Sequence, residues 1–353
     1  MPKFILSKSK VLEQYEKAKN YSDIVSYSLK TNPIVGKILE KETDSLFSVH
    51  FANELKNLSK ESMPRVLFLA QAWNKDLIKK LLDLGIKTFI VDNEPDLNTL
   101  IDFLNSNDSP NINLFLRLRL KEYTLKTERY FVFGMSSEVV NKKIIQLKDN
   151  PKIKSLGIHF HRKTQNISEW DLKYEISNLI SKEALSAISY INIGGGIPGI
   201  YANTNENVIK GILEKIKEFK LWINNNGIKM IIEPGRFIAG PSVKLLTKII
   251  GIHKGIYNTD NTLIVDASLY NSDLDALIVP VKLLVQGEKT PDDKEARPYI
   301  IKGITPCSMD LFRYRVYLKP PKLGDEIVFL NAGAYNFSSD FCNLDKIPTE
   351  IVD

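Results

Sequence analysis

The chain has 353 residues, of which 43% are apolar, and its 48 Lys and Arg residues against 42 Asp and Glu give a formal net charge of +6. This length and apolar fraction predict a globular protein with a large core and two domains. The basic residues are scattered, without the stripe of charge and aromatic rings that nucleic acid binding needs, so we expect no nucleic-acid partner, and the mild excess suits anionic small molecules.

The cysteine content and the apolar segments indicate where the protein works. Two cysteines, Cys307 and Cys342, are too few for a disulfide scaffold and fit a reducing compartment. The first residues contain no apolar segment long enough for a signal peptide, and no later run approaches the roughly 18 apolar residues that would span a bilayer. We therefore expect a cytoplasmic protein without a membrane partner.

Short apolar runs alternate with amphipathic segments over about residues 24–240. The runs at 66–69 and 88–91 precede helical patterns at 75–85 and 95–104, and the run at 114–118 precedes a loop and a helical pattern at 136–148. Further apolar runs lie at 156–161, 190–193 and 229–233. This regular alternation predicts parallel strands joined by crossover helices, and roughly eight such units form a closed (β/α)8 barrel.

The pattern changes after residue 240. Strands without long helices between them are predicted at 243–252, 262–266, 277–285, 298–304 and 326–330, and an opening strand at 4–6 is expected to join them. The sequence therefore predicts a barrel at residues 24–240 and a β domain formed by residues 1–23 plus 241–353.

Four motifs fall at or just past the ends of predicted barrel strands, the edge where barrel enzymes place their chemistry. They are Lys30, His159-Phe160-His161, Gly194-Gly195-Gly196 and Glu233-Pro234-Gly235-Arg236. Pyridoxal 5'-phosphate needs a lysine for a Schiff base, a ring against its flat face, an acid for its pyridine nitrogen and amides for its phosphate. The motifs supply these groups, and we expect this cofactor.

Each motif alone has a plainer interpretation. Lys30 could be a surface lysine, the three glycines a flexible loop, and Pro234-Gly235 a turn at a strand end. His159 and His161 could also bind a metal, but the other histidines, at positions 50 and 253, offer no obvious third ligand. We therefore expect no metal.

Taken together, the motifs resemble the fold-type III pyridoxal phosphate decarboxylases, the family of ornithine, diaminopimelate and carboxynorspermidine decarboxylases. Two later segments extend the resemblance to nearly the whole chain, namely 303–310, with Cys307 and Asp310, and 331–335, which ends in Gly-Ala-Tyr. The resemblance implies a (β/α)8 barrel with a C-terminal β domain, which is the alanine racemase-like fold, and a homodimer whose active sites are completed across the dimer.

The resemblance also implies roles for individual residues. Lys30 would carry the cofactor, His161 would stack on its ring and Glu233 would hold its pyridine nitrogen. The other cofactor contacts would come from Thr164, Gly195, Gly196, Gly235, Arg236 and Tyr335. Lys163 departs from the family pattern, since it stands where glycine is common.

Cys307 would reach the neighbouring subunit's cofactor and help to protonate the substrate carbon. The matching aspartate of relatives touches substrate, but Asp310 follows Cys307 by three residues where many relatives have four. Ser308 replaces an acidic residue that faces the distal end of the substrate in ornithine and diaminopimelate decarboxylases. Asp275, in a stretch similar to the carboxynorspermidine branch, is a third expected substrate contact.

The resemblance implies an α-decarboxylase of a diamino acid. The departures favour a substrate that is substituted on its distal nitrogen. The substrate would be carboxynorspermidine-like, as in polyamine biosynthesis, or an N-acyl-ornithine of siderophore biosynthesis. Decarboxylases of free ornithine, lysine or diaminopimelate are the alternatives within the family. An amino acid racemase would need an arginine in place of Glu233, and a non-enzymatic cofactor-binding protein of the single-barrel kind would lack the β-rich segment at 241–353.

Overall fold

The computed structural model describes residues 1–120, 133–255, 260–336 and 339–353. The chain forms two compact units. The barrel unit comprises Tyr15–Pro198 and Asn207–Gly235, and the β unit comprises Met1–Gln14, Gly199–Glu206 and Arg236–Asp353. The domain boundaries drawn from the sequence stay a prediction.

The barrel unit contains a closed barrel of eight parallel strands, which confirms the predicted (β/α)8 architecture. Its last strand pairs with its first, with Ile231 opposite Ile24. The strands are β2 (Ile24–Ser28), β3 (Leu46–Val49), β4 (Val66–Ala70), β5 (Thr88–Val91), β6 (Ile112–Arg117), β7 (Ile153–His159), β8 (Tyr190–Asn192) and β9 (Lys229–Ile232).

Large and small side chains alternate inside this barrel. Leu67, Ile90, Phe115 and Ile231 come from different strands and form a buried cluster. Gly157 makes room for the Phe115 ring, because a Cβ at position 157 would lie 2.6 Å from Phe115 Cε1. The strands are short and apolar because both faces of a barrel strand are buried.

Polar residues start the helices directly after several strands. The Asn32 side chain accepts hydrogen bonds from the amides of Ile34 and Val35, and Asn74, Asn93 and Ser136 cap later helices in the same way. The helices that follow barrel strands are α2 (Pro33–Glu42), α3 (Lys75–Asp83), α4 (Glu94–Ser106), α5 (Ser137–Leu147), α6 (Leu172–Leu179), α7 (Lys182–Ser186) and α8 (Glu206–Asn224), and α1 (Lys8–Lys19) precedes them. The predicted loop between 118 and 136 lies mostly outside the described residues.

The β unit holds a sheet of eight strands. Its strands are β1 (Lys3–Ser7), β10 (Val243–His253), β11 (Asn261–Val265), β12 (Leu284–Val285), β13 (Arg297–Lys302), β14 (Leu311–Leu318), β15 (Glu326–Leu330) and β16 (Thr349–Val352). β10 pairs with β15 and with β11. The opening strand β1 joins this sheet, as predicted, by pairing with β10 and β16. Short helices are α9 (Arg236–Ala239), α10 (Leu269–Ser272) and α11 (Asp275–Ile278).

The predicted strand at 277–285 is wrong. Only β12 at its end is extended, while α11 occupies its start, where the Asn336 side chain accepts a hydrogen bond from the Asp275 amide. A buried polar anchor thus overrides the β propensity of an apolar run. Within the described ranges, no helix combines the length and apolarity needed to cross a membrane.

Candidate active site

The predicted cofactor residues of the barrel unit follow the C-terminal ends of its strands. Lys30 lies just after β2, His161 after β7, Gly194 after β8 and Glu233 directly after β9. In a parallel barrel these ends form one edge. The structure therefore brings together residues that are up to about 200 positions apart in the sequence.

Lys30 lies in a single helical turn, Leu29–Thr31, between β2 and α2, and its side chain is exposed. The Tyr27 hydroxyl fixes this turn by donating a hydrogen bond to the Asn32 carbonyl at 3.0 Å. A Cβ at Gly235 would overlap the Thr31 hydroxyl oxygen. Gly235 therefore lets the turn after Glu233 pack directly against the turn that carries Lys30.

Glu233 is 2% exposed, and its Oε1 accepts a hydrogen bond from Asn192 Nδ2 at 2.8 Å. Burial alone would raise the pKa of Glu233, but the charges of His159, 3.7 Å from that oxygen, and of His161 outweigh burial and hold the pKa below its usual range. Glu233 is therefore ionised at neutral pH. This is the form needed to hold a protonated pyridine nitrogen.

The three glycines leave no room for side chains. Gly194 and Gly196 have positive φ angles of 66° and 84°, and a Cβ at Gly195 would lie 2.9 Å from the Glu233 carbonyl oxygen. The Gly195 amide donates to His161 Nδ1 at 3.0 Å, and the Gly194 amide donates to Asn192 Oδ1 at 2.9 Å. The contacts of Gly195 and Gly196 with an anion stay predictions, and Gly195 would have to exchange its present partner.

The segment after His161 departs from the family pattern at Lys163, whose side chain is exposed. A Cβ at Gly196 would lie 2.7 Å from the Lys163 carbonyl oxygen, so Gly196 supplies the close backbone approach in this region. Thr164 is half-buried beside it. Its contact with the cofactor phosphate stays a prediction.

Glu233 supplies the third ligand atom that a metal bound by His159 and His161 would need. The ligand atoms of His159, His161 and Glu233 all lie within 4.8 Å of one another. The sequence did not indicate this grouping, because Glu233 is 72 residues from His161 and is not a histidine. The same three residues are those predicted to surround the cofactor ring.

His50, which the sequence interpretation assigned no role, follows β3 at the same barrel edge. Burial, together with the charge of Lys30, lowers the pKa of His50 to about 3, so the imidazole is neutral at neutral pH. Its Nδ1 is buried without a hydrogen-bond partner among the described residues. The sequence predicted no strand at residues 46–49, so only its residue type marked His50 as a candidate.

In the β unit, Arg236 is bound to Asp275. Arg236 Nη2 lies 2.9 Å from Asp275 Oδ1, Nη1 contacts Oδ2, and Nη1 also donates to the Tyr201 hydroxyl at 2.8 Å. The sequence interpretation gave Arg236 to the cofactor phosphate and Asp275 to the substrate. Both roles stay predictions, and each requires this buried pair to open.

Tyr335 has a positive φ of 62°, which is uncommon for a residue with a bulky side chain. Its ring centroid lies 5.6 Å from Arg236 Cζ. Strained backbone of this kind persists where the surroundings enforce it, often at functional sites. The predicted contact of Tyr335 with the phosphate is untested by this geometry.

Asp273, two residues before Asp275, is a buried acid with 1% exposure. Its Oδ1 accepts a hydrogen bond from Asn336 at 2.8 Å, while Oδ2 has no partner among the described residues. Burial raises the pKa of Asp273 well above its usual range, and the charge of Asp275 raises it further. Burial therefore favours the protonated form of Asp273 next to the Arg236–Asp275 pair.

We expect the Asp273→Asn variant to gain stability relative to the wild type as the pH rises. The pKa of Asp273 is higher in the folded protein than in the unfolded chain, so this group stabilises the fold fully only at a pH below its unfolded-state pKa. The contribution is lost as the pH rises towards the folded-state pKa. The difference in the free energy of unfolding, measured with urea, should grow by about 1 kcal/mol or more between pH 4 and pH 8. A difference that is constant with pH would show that Asp273 is ionised in the folded protein.

Hydrogen bonds of Cys307 and Asp310 hold the loop that contains them. Cys307 is half-buried, and its Sγ lies 2.8 Å from the Tyr270 hydroxyl. Asp310 is fully buried, with Oδ1 accepting from the Leu269 amide and Oδ2 from the amide and hydroxyl of Thr305. The substrate contact of Asp310 stays a prediction, and both of its carboxylate oxygens have hydrogen-bond partners within the β unit. Ser308 is exposed.

These features of the barrel fit pyridoxal phosphate. Glu233 is a buried carboxylate in its ionised form, and both ring nitrogens of buried His159 lack hydrogen-bond partners among the described residues. The glycine loop is closed to side chains, and Lys30 is an exposed amine at the same edge. The donor set therefore suits a flat cofactor with a basic ring nitrogen and an aldehyde.

Comparison with known proteins gives relatives of low identity. The chain is 21% identical to antizyme inhibitor 2 of Xenopus laevis over 319 residues, 80% of this chain and 65% of that protein. It is 23% identical to diaminopimelate decarboxylase of Bacteroides thetaiotaomicron over 217 residues, 58% of this chain and 53% of that protein. The chain thus spans less than two thirds of these two relatives. It is 24% identical to the 2-[(L-alanin-3-ylcarbamoyl)methyl]-2-hydroxybutanedioate decarboxylase of Staphylococcus aureus over 339 residues, 88% of this chain and 82% of that protein.

A solved structure has a similar fold, and a family model matches the sequence. The crystal structure of lysine/ornithine decarboxylase from Vibrio vulnificus, complexed with cadaverine, has a TM-score of 0.78 at 22% identity, covering 100% of this chain and 95% of that one. The family model described as "Pyridoxal-dependent decarboxylase, pyridoxal binding domain" matches residues 9–240. This range contains Lys30, His161, the glycine loop and Glu233. The chain therefore belongs to the pyridoxal-dependent decarboxylase family, and its barrel is the pyridoxal-binding domain of that family.

Proposed function

We propose that the protein is a pyridoxal phosphate-dependent α-decarboxylase of a diamino acid. The observation that carries this proposal is Glu233, a buried and ionised acid at the barrel edge that also carries Lys30. When bound, the cofactor supplies an electron sink for the bond to the departing carboxylate. That sink is strong only while the pyridine nitrogen is protonated, which is the state that an ionised acid favours.

Each residue at the barrel edge has a separate role. The Lys30 amine would hold the cofactor aldehyde, and the His50 imidazole at the same barrel edge is neutral. Glu233 holds the proton on the pyridine nitrogen, and Asn192 fixes the orientation of Glu233. His161, anchored through Nδ1 on the Gly195 amide, covers one face of the ring. As a proposal, two copies of the chain form a homodimer in which Cys307 acts on the partner's site.

Two other classes of function, a racemase and a cofactor-binding protein, have weaker support. A racemase of this fold would carry arginine at the pyridine nitrogen, and the ionised Glu233 counts against it. A binding role has some support, since one relative bears the name of an inhibitor rather than of an enzyme. The large β unit, Arg236–Asp353 with two shorter segments, counts against a single-barrel cofactor-binding protein.

The substrate we propose is acylated on its distal nitrogen. Ser308 is exposed and uncharged, so a free distal ammonium would lack a charge-assisted hydrogen bond worth roughly 1.5–3 kcal/mol. The name of the Staphylococcus aureus relative describes an alanine whose C3 nitrogen is part of an amide. This chemistry corresponds to the acylated diamino acids of siderophore assembly. A carboxynorspermidine-like substrate of polyamine biosynthesis is the second candidate.

The proposal is tested by carbon dioxide release. The purified protein, loaded with pyridoxal phosphate, is incubated with free diamino acids and with their N-acyl and N-alkyl derivatives, and the gas and the amine product are measured by mass spectrometry. We expect release that is absent from the Lys30→Ala variant and fastest with an N-acyl substrate. Exchange of the α-proton without carbon dioxide would instead indicate a racemase. Cofactor binding without any reaction would leave a binding role.

We expect Ser308→Asp to shift the preference towards free ornithine or lysine. The new carboxylate meets the free ammonium, while it gains nothing from a neutral amide. The ratio of kcat/KM for free over N-acyl substrates should rise about tenfold or more. Ser308→Asn is the matched control without charge, and an equal shift in both variants would remove the electrostatic explanation.

A further inference from the structure

We propose that Tyr270 is the proton partner of Cys307, held in place by a carboxylate clasp at Asp310. The inference rests on the proposed decarboxylation, because it assigns Tyr270 a part in returning a proton to the thiol. Neither Tyr270 nor the clasp was assigned a role by the sequence.

Tyr270 lies in α10, and Cys307 lies in the loop between β13 and β14. The phenol oxygen and the sulfur are 2.8 Å apart, well within hydrogen-bond distance. Both side chains are half-buried, so they remain accessible to small molecules. The Tyr270 ring is also supported from the side by Phe341, whose ring centroid lies 5.7 Å away.

The Asp310 carboxylate ties these two elements together. Its Oδ1 accepts from the amide of Leu269, the residue before Tyr270, at 2.8 Å. Its Oδ2 accepts hydrogen bonds from Thr305, which lies two residues before Cys307: one from the amide at 3.0 Å and one from the hydroxyl at 2.7 Å. The Asp310 amide donates to the Cys307 carbonyl at 3.1 Å. One buried acid therefore fixes both the phenol and the thiol, and Asp310 is a positioning residue.

Gly303 is required by the same arrangement. A Cβ at this position would overlap the Asp310 carboxylate, and the Gly303 amide donates to the Asp310 carbonyl at 2.9 Å. The strand end at β13 is thus shaped around the clasp.

The electrostatics indicate which group donates. The hydrogen bond from Tyr270 lowers the pKa of the Cys307 thiol, and the same bond, with some burial, raises the pKa of Tyr270 to about 12. The phenol therefore keeps its proton at neutral pH and donates it towards sulfur. A thiolate formed at Cys307 would be stabilised by this bond.

The proton balance of the proposed step is simple. The S–H bond of Cys307 breaks, and its proton forms a C–H bond at the substrate carbon that has lost carbon dioxide. The sulfur is left as a thiolate under the Tyr270 hydroxyl. Water then returns a proton to sulfur through the Tyr270 hydroxyl, which gives its own proton to the thiolate as it takes one from water, and hydroxide is left. The net transfer is one proton from water to carbon, without an oxidant or reductant.

The test measures the thiol itself. In a Cys342→Ser background, which leaves Cys307 as the sole cysteine, the rate of alkylation by iodoacetamide is followed between pH 6 and pH 10 by mass spectrometry of the intact holoenzyme. Tyr270→Phe keeps the ring and removes the hydroxyl. We expect the alkylation profile of Cys307 to move to higher pH, with a rate about tenfold lower at pH 7. Tyr314→Phe, at a tyrosine that is 72% exposed on β14, is the matched control and should leave the profile unchanged.

A second variant separates positioning from fold. Asp310→Asn weakens the clasp but leaves Tyr270, so its alkylation profile should move in the same direction, and its thermal melting reports whether the loop still folds. With turnover, Tyr270→Phe should also release more aldehyde beside the amine, since slow protonation at the right carbon favours the wrong one. An unchanged profile in folded Tyr270→Phe protein would overturn the proposal. The alkylation profile needs no substrate, so absence of decarboxylation in the wild type would overturn the proposed function alone.

Discussion

The Lys30→Ala variant is expected to lose carbon dioxide release by roughly 10³-fold or more and to lose the visible absorption of the bound cofactor. The side chain that holds the aldehyde is gone, and no other group supplies the covalent link. In the wild type, borohydride should fix the cofactor on the peptide that contains Lys30, as read by mass spectrometry. Lys37→Ala, an exposed lysine on α2, should behave as the wild type. Labelling of a different lysine would contradict the assignment.

Mixing two inactive variants tests whether the active site is shared. If Cys307 acts on the partner's cofactor, a heterodimer of Lys30→Ala and Cys307→Ala subunits has one site with neither defect. Activity should return to about a quarter of the wild-type value at equal amounts of the two chains, because half of the dimers are mixed and each has one complete site. Mixing Lys30→Ala with Cys342→Ala should give no gain beyond that of the active Cys342→Ala chain. Failure to complement, with subunit exchange shown to occur, would confine Cys307 to its own chain.

The Glu233→Gln variant is expected to bind the cofactor but to turn over about 10²–10³-fold more slowly. A neutral amide cannot hold the proton on the pyridine nitrogen, so charge that develops in the transition state loses its sink. Gln can still accept the hydrogen bond from Asn192, so the fold should be kept. Bound cofactor is measured by absorbance after gel filtration and kcat by carbon dioxide release.

The pH dependence gives a control for this variant. Because the pKa of Glu233 lies below its usual range, the wild-type carboxylate stays ionised throughout the neutral range. The loss in Glu233→Gln should therefore be equally large from pH 6 to pH 9. A rate near that of the wild type would remove Glu233 from the mechanism.

The sequence by itself determined the barrel and the order of its chemical groups. Short apolar runs such as Thr88–Val91 are buried on both faces, and capped helices follow them, so the alternation is legible locally. The sequence predicted the positions of four site residues because each follows such a run, namely Lys30, His161, Gly195 and Glu233. The same reasoning failed at 277–285, where only the start of the run lies in α11 and only Leu284–Val285 is extended; the Asn336 side chain, far along the chain, accepts a hydrogen bond from the first residue of α11.

Only the tertiary structure decided how the charged and polar groups pair. The pKa of Glu233 is held low because β8 pairs with both β7 and β9, which puts His159 of β7 3.7 Å from the Glu233 carboxylate. Arg236 binds Asp275 and Tyr270 binds Cys307 across separations of 39 and 37 residues. Asp310 is buried and accepts hydrogen bonds from Leu269 and Thr305, partners that its own motif did not indicate. A local pattern states which groups are present, but their protonation and partners depend on burial and on distances of a few ångström, which are set only when distant segments pack together.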